Sequence, residues 1–102
     1  MKSNHQLHEA RSLQMHRMVA ERFYQEPAAV VQFGLNNLER WRRRGVDCDD
    51  FTVWTNLLDG PPHGIIQALT SVSEEAVRLR QSSPFAGLIP EETRRQILAS
   101  QE

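Results

Sequence analysis

The chain has 102 residues, 39% apolar and 25% charged, with a net charge of −1 and one cysteine, Cys48. That composition suits a single folded domain with its own core, and it argues against wholesale disorder and against a disulfide framework. No apolar run approaches the ~18 residues that span a bilayer, and the N-terminal MKSNHQLHEARS lacks the apolar stretch of a secretory signal, so a cytoplasmic protein free of membrane is expected. The charge is unevenly placed: residues 1–45 carry eight basic residues against four acids, and residues 46–102 carry four against nine. The simpler use of such a split is attraction between the halves; the other is steering of a charged partner.

The first predicted helix runs from about His5 to Gln25, a stretch free of Gly and Pro that follows the cap-type residues Ser3-Asn4. Met15, Val19 and Phe23 fall near one face and Leu13, Ala20 and Tyr24 on the next, so this helix should be touched on two sides. Pro27 then opens a second helix at the position where its missing N–H costs nothing, and Gly45 closes that helix after Arg44. Ala28, Val31, Leu35, Leu38 and Trp41 form its apolar stripe. Gly34 lies mid-helix at a cost of roughly 1 kcal/mol against Ala, which suggests a close approach to another element.

Asp47, Asp49 and Asp50 are candidate caps for a short third helix, Asp50 to Asp59, with Phe51, Trp54 and Leu58 on one face. Gly60-Pro61-Pro62 ends it, and His63 to Thr70 forms a fourth helix. Ser71-Val72-Ser73-Glu74 fits a capping box ahead of a fifth helix, about Ser73 to Gln81. Pro90-Glu91-Glu92 opens a sixth that ends near Ser100. No segment alternates with period two for more than a few residues. The expected fold is all-α: one domain over 1–102, a compact bundle of five to six short helices with 1–6 and 100–102 frayed.

Little here suggests catalysis, and no enzyme activity and no cofactor are expected. His5, His8 and His16 fall within roughly 80° on a helix, but two histidines at i, i+3 need further ligands, and no metal is expected. The acids around Cys48 disfavour a thiolate and so oppose nucleophilic use. No phosphate-binding glycine loop and no G-x-S-x-G elbow is present. Arg40, Arg42, Arg43 and Arg44 are the strongest basic cluster and the candidate nucleic-acid contact. The plainer reading is a solvated helix end, with cations complementing the dipole and acids at 47, 49 and 50 repelling a phosphate backbone.

The segment Ser83-Pro84-Phe85-Ala86-Gly87-Leu88-Ile89 is the least ordinary part of the chain: an apolar loop between two charged helices. Either it folds back onto the core, with Gly87 supplying a conformation other residues resist, or it is an apolar anchor ringed by arginine. On the second reading Arg78, Arg80, Phe85, Leu88, Ile89 and Arg94 are the partner-binding residues.

The segments RSLQMHRMVAERF, NLERWRRRG and RLRQSSPFAGLIPEETRRQIL resemble a family of small bacterial helical proteins whose shared block is R-x-S/T-P-F-A/T-G-x-L. The likeness spans about Ala10 to Leu98 and is most specific from Arg80 to Leu88. It implies an antitoxin-like or accessory protein that neutralises a cognate enzyme by contact, the partner being a toxin or another product of a neighbouring gene. A homodimer is the other association expected, and a small nucleic-acid-binding regulator is the alternative function.

Overall fold

A computed structural model describes residues 4–100, with the side chains of Asn4, His5 and Ser100 left aside. Six helices follow one another: α1 (Asn4–Gln25), α2 (Pro27–Arg43), α3 (Asp49–Leu58), α4 (Pro62–Thr70), α5 (Glu74–Gln81) and α6 (Glu91–Ser100). Among the described residues there is no strand, and the all-α bundle expected from the sequence is the fold observed. α1 is the central element, packed against α2, α4, α5 and α6, while α3 lies across α2 and α4. α1 is thus contacted on more than one side, as its wide apolar arc suggests. Helix is already present at Asn4 and persists to Ser100, within two stretches expected to fray; Ser3, the other half of the expected cap, lies outside the described residues.

Two helix starts differ from expectation. None of Asp47, Asp49 and Asp50 caps α3: its N-cap is Cys48, without a side-chain bond, and Asp47 Oδ1 accepts instead from the Cys48 N–H at 2.9 Å. Asp49 and Asp50 sit in the first turn, where their charge still complements the dipole. The cap of α5 is Ser73, whose Oγ accepts from Ala76 N–H at 3.2 Å, and not the Ser71 of the expected capping box. Ser71 ends α4, and its Oγ accepts from Ser73 N–H at 3.1 Å. The second helix ends as expected, with Gly45 at φ +85° taking the left-handed turn that other residues resist.

The loop between α5 and α6 enters the core. Phe85 is only 4% exposed, and Pro84 and Ile89 are buried beside it. The Phe85 ring stands edge-on to Trp54 of α3, with centroids 5.6 Å apart at 88°, a favoured aromatic arrangement. Gly34 makes room for it. A Cβ there would stand 2.9 Å from Leu58 Cδ1 and 3.1 Å from Phe85 Cε1. Buried Asn37, one turn further along α2, donates from Nδ2 to Pro84 O at 2.8 Å and Ala86 O at 3.3 Å, while its Oδ1 accepts from Arg40 Nη2. Trp54 Nε1 donates to Leu79 O at 2.8 Å, tying α3 to α5.

Two stability measurements check this arrangement. Phe85→Ala should cost about 3–5 kcal/mol in urea unfolding, as for other buried aromatics; a loss below about 1 kcal/mol would show a loop that merely rests on the surface. Asn37→Asp should turn a donor into an acceptor against two carbonyls, costing about 1–3 kcal/mol at pH 7 and less at pH 4, where a protonated carboxyl donates again.

Candidate functional site

The six residues expected to hold a partner divide by burial. Phe85 and Ile89 are buried, and Leu88 is half-buried and packed on the core. Arg80 is 5% exposed, with Nη1 donating to Ala68 O at 3.1 Å and Ser71 O at 2.7 Å. Those carbonyls belong to the last turn and the cap of α4, where the helix has no N–H left to offer them, so Arg80 closes the joint between α4 and α5. Phe85, Ile89 and Arg80 are thus architecture, too buried to meet the surface of a protein partner. Arg78 and Arg94 remain exposed: Arg78 Nε lies 3.4 Å from Asp50 Oδ1 of α3, and Arg94 Nη1 lies 3.1 Å from Glu91 Oε2. Exposed pairs of this kind contribute about 0–1 kcal/mol and exchange readily for another anion.

The arginine cluster is largely engaged within the chain. Arg40 bonds Asn37 Oδ1, Arg43 bonds Glu39 Oε1, and Arg42 reaches Asp47 Oδ1 at 3.3 Å and Thr55 Oγ1 at 3.4 Å. Arg44 caps α2 through its backbone N–H, and its side chain is exposed. The cluster lies at one helix end beside Glu39 and Asp47, as the plainer sequence reading had it.

The histidines do not converge. His8 is exposed, His16 is buried, and the side chain of His5 lies outside the described residues. His16 Nδ1 lies 2.7 Å from Ser12 O. A carbonyl only accepts, so Nδ1 carries the proton and Nε2 is left as an acceptor. Burial lowers the His16 pKa from 6.5 to about 4, with the Ser12 bond opposing and the Arg80 charge assisting. Among the described residues no group of three or more His, Cys, Asp or Glu is placed to hold a metal ion. No described helix is long and apolar enough to cross a membrane.

The remaining features lie along the seam of α1 and α5. Three clefts open there, and Arg80 borders all of them. The first, about 250 Å³, is walled by α1, α5, the 83–89 loop and Arg94 of α6. The second, about 410 Å³, lies between Ala10 and Leu13 of α1 and Val72 and Val77 at the α4–α5 joint, with Gln6 and Glu9 at its edge. The third, about 250 Å³, holds His8, Glu9, Ser12 and Gln81. Burial also pulls the Arg80 pKa down, while Glu9 raises it and Arg17 lowers it further.

Val72 is the site residue that sequence reasoning missed. It is 77% exposed, the most exposed large apolar side chain described. Its neighbours Ser71 and Ser73 are fixed by the cap bonds above, so it is presented on a rigid joint. The one sequence signal was an aliphatic residue between two cap-type serines, a pattern that reads equally well as a plain linker.

A scan against protein-family models and searches of curated proteins and of solved structures each returned no match. The block expected from the resemblance is also carried loosely: the chain has two serines where the block has one Ser/Thr, and Leu88 directly follows Gly87.

The buried histidine generates a pH dependence. His16 is neutral in the fold and protonates when the chain unfolds, so acid favours the unfolded state. Stability should fall as pH drops from 6.5 to about 4, by on the order of 3 kcal/mol in total. His16→Gln should flatten that slope in denaturation curves taken across the window; an unchanged slope would assign it to other groups.

Proposed function

We propose that the chain is a non-catalytic helical interaction module that acts by contact with a basic protein partner, through the cleft at the α4–α5 joint. The observation that carries this reading is Val72, held outward on a rigid turn beside an apolar cleft lined by Ala10, Leu13 and Val77. A lone exposed aliphatic residue needs no explanation, but one fixed beside an apolar cleft can take up an apolar anchor with little ordering cost. Glu9 lines the cleft and the exposed Glu74 and Glu75 follow Val72 after Ser73, while Arg80, the one cation of the lining, is tied to Ala68 O and Ser71 O. Complementarity then favours a basic surface presenting an apolar side chain. Neutralisation of a cognate enzyme, which the sequence resemblance implies, is one use of such a contact.

Co-expression with the products of neighbouring genes, followed by purification through a tag on this chain, tests the reading. A stoichiometric partner is expected whose binding weakens at least tenfold in Val72→Asn and in the Glu74→Lys/Glu75→Lys double variant, with melting temperatures unchanged. Recovery of the chain alone, or binding indifferent to both variants, would overturn the proposal. Binding lost instead in Arg40→Ala/Arg43→Ala/Arg44→Ala, together with steep salt-sensitive binding of nucleic acid, would favour the regulator reading.

A further inference from the structure

The first cleft differs from the other two in its wall chemistry. Its lining residues include the guanidinium-bearing Arg80 and Arg94 and no carboxylate. Glu9 acts on Arg80 from the first half of α1, where both border the other two clefts; Arg17 adds positive potential. Arg94 shares Glu91 only at an exposed position. A recess with one sign of charge and low-dielectric walls focuses its field on whatever enters. Ser83 adds a hydroxyl: its Oγ accepts from Phe85 N–H at 3.3 Å, which leaves its own proton to donate. The rest of the wall is apolar, from Met15 and Val19 on α1 to Ile89 in the loop. A volume of about 250 Å³ has room for a small organic molecule.

We propose that this recess binds a small organic anion, its carboxylate or phosphate oxygens held between Arg80 and Arg94 and its apolar body against Met15, Val19 and Ile89. The guanidinium of Arg80 is prepared for this. Its bonds to Ala68 O and Ser71 O fix its position, so little side-chain freedom is lost when an anion arrives. Arg94 is the adjustable half, since an arriving anion replaces the Glu91 carboxylate as its partner. A neutral His16 in the wall adds an acceptor without adding charge, so a ligand hydroxyl is accommodated where a second anionic group is not favoured. The recess shares Arg80 with the protein-contact cleft proposed above but none of its apolar wall, because Val72, Leu13 and Val77 do not border it.

The test is a titration of the full chain, followed by calorimetry and amide chemical shifts at constant ionic strength, with benzoate, phenyl phosphate and the neutral isostere benzamide. Benzoate or phenyl phosphate should bind at least tenfold tighter than benzamide, and shift amides at His16, Arg80 and residues 83–89; whichever binds tighter identifies the anionic group. Arg94→Gln should weaken that binding at least fivefold with an unchanged melting temperature. Arg95→Gln, at a neighbouring arginine that does not border the recess, should leave it unaltered. Equal binding of benzoate, phenyl phosphate and benzamide, no binding by about 10 mM, or equal losses in the two arginine variants would overturn the assignment.

Discussion

Phe85 seated over Gly34 and against Trp54 is the contact on which the rest of the structure depends. It joins mid-α2, the face of α3 and the loop after α5, and, through Trp54 Nε1 and Leu79 O, α5 itself. Its geometry is fixed from two sides. Gly34 removes the Cβ that would collide with the ring, and Asn37 holds the loop backbone by Pro84 O and Ala86 O. The helix-propensity cost of Gly34, roughly 1 kcal/mol, is small against the burial of a whole aromatic ring. Asn37 also solves a problem created by burying a loop, whose carbonyls have no helix or sheet partner and would otherwise be stranded away from water.

Arginine does two different jobs in this chain. Arg80 does for α4 what Asn37 does for the loop, supplying donors to carbonyls that a helix end cannot satisfy. The exposed arginines instead pair with nearby acids: Arg43 with Glu39, Arg42 with Asp47, Arg78 with Asp50 and Arg94 with Glu91. The Arg42–Asp47 pair joins the basic half to the acid-rich one, and Glu9 acts on Arg80 across the same divide, while the Arg43, Arg78 and Arg94 pairs each stay within one half.

What was legible in the sequence follows from the range of the forces involved. Helix identity, contact of α1 on more than one side, the glycine stop at Gly45 and the positive φ of Gly87 all rest on local pattern, and each is found in the structure. The approach of another element to Gly34 was also readable, because a glycine mid-helix needs a reason. The start of α5 was harder, since Ser71 and Ser73 are equally good caps. Tertiary structure decides it: α4 runs on to Thr70, and Arg80 takes the Ser71 carbonyl, leaving Ser73 to begin the next helix. The fate of Phe85 was readable only as a choice between core plug and exposed anchor. Periodicity is silent in a loop, and its partners Gly34 and Trp54 lie far back in the chain, on α2 and α3. Arg80 misled for the same reason, because a buried arginine bonded to carbonyls looks, in sequence, like any charged residue at a helix end.

The two candidate surfaces lie on the same seam for a physical reason. Where the loop meets α2 and α3 the packing is close, with Phe85 over Gly34 and against Trp54, and such packing leaves little room for a ligand. Along α1 and α5 the clefts are lined by long polar side chains: His16 bonds within α1 to Ser12 O, Arg80 reaches α4 at Ala68 O and Ser71 O, and Glu9 acts on the Arg80 charge. Clefts open between those contacts. The seam is thus the part of the bundle where the core is polar, incompletely filled and close to the surface, and binding chemistry has its best footing there. Arg80 borders every cleft of the seam because it is the residue that spaces them. A change that altered its hold on Ala68 and Ser71 would alter the presentation of Val72 and the charge of the recess together, so the two surfaces share one hinge point although they share no apolar wall.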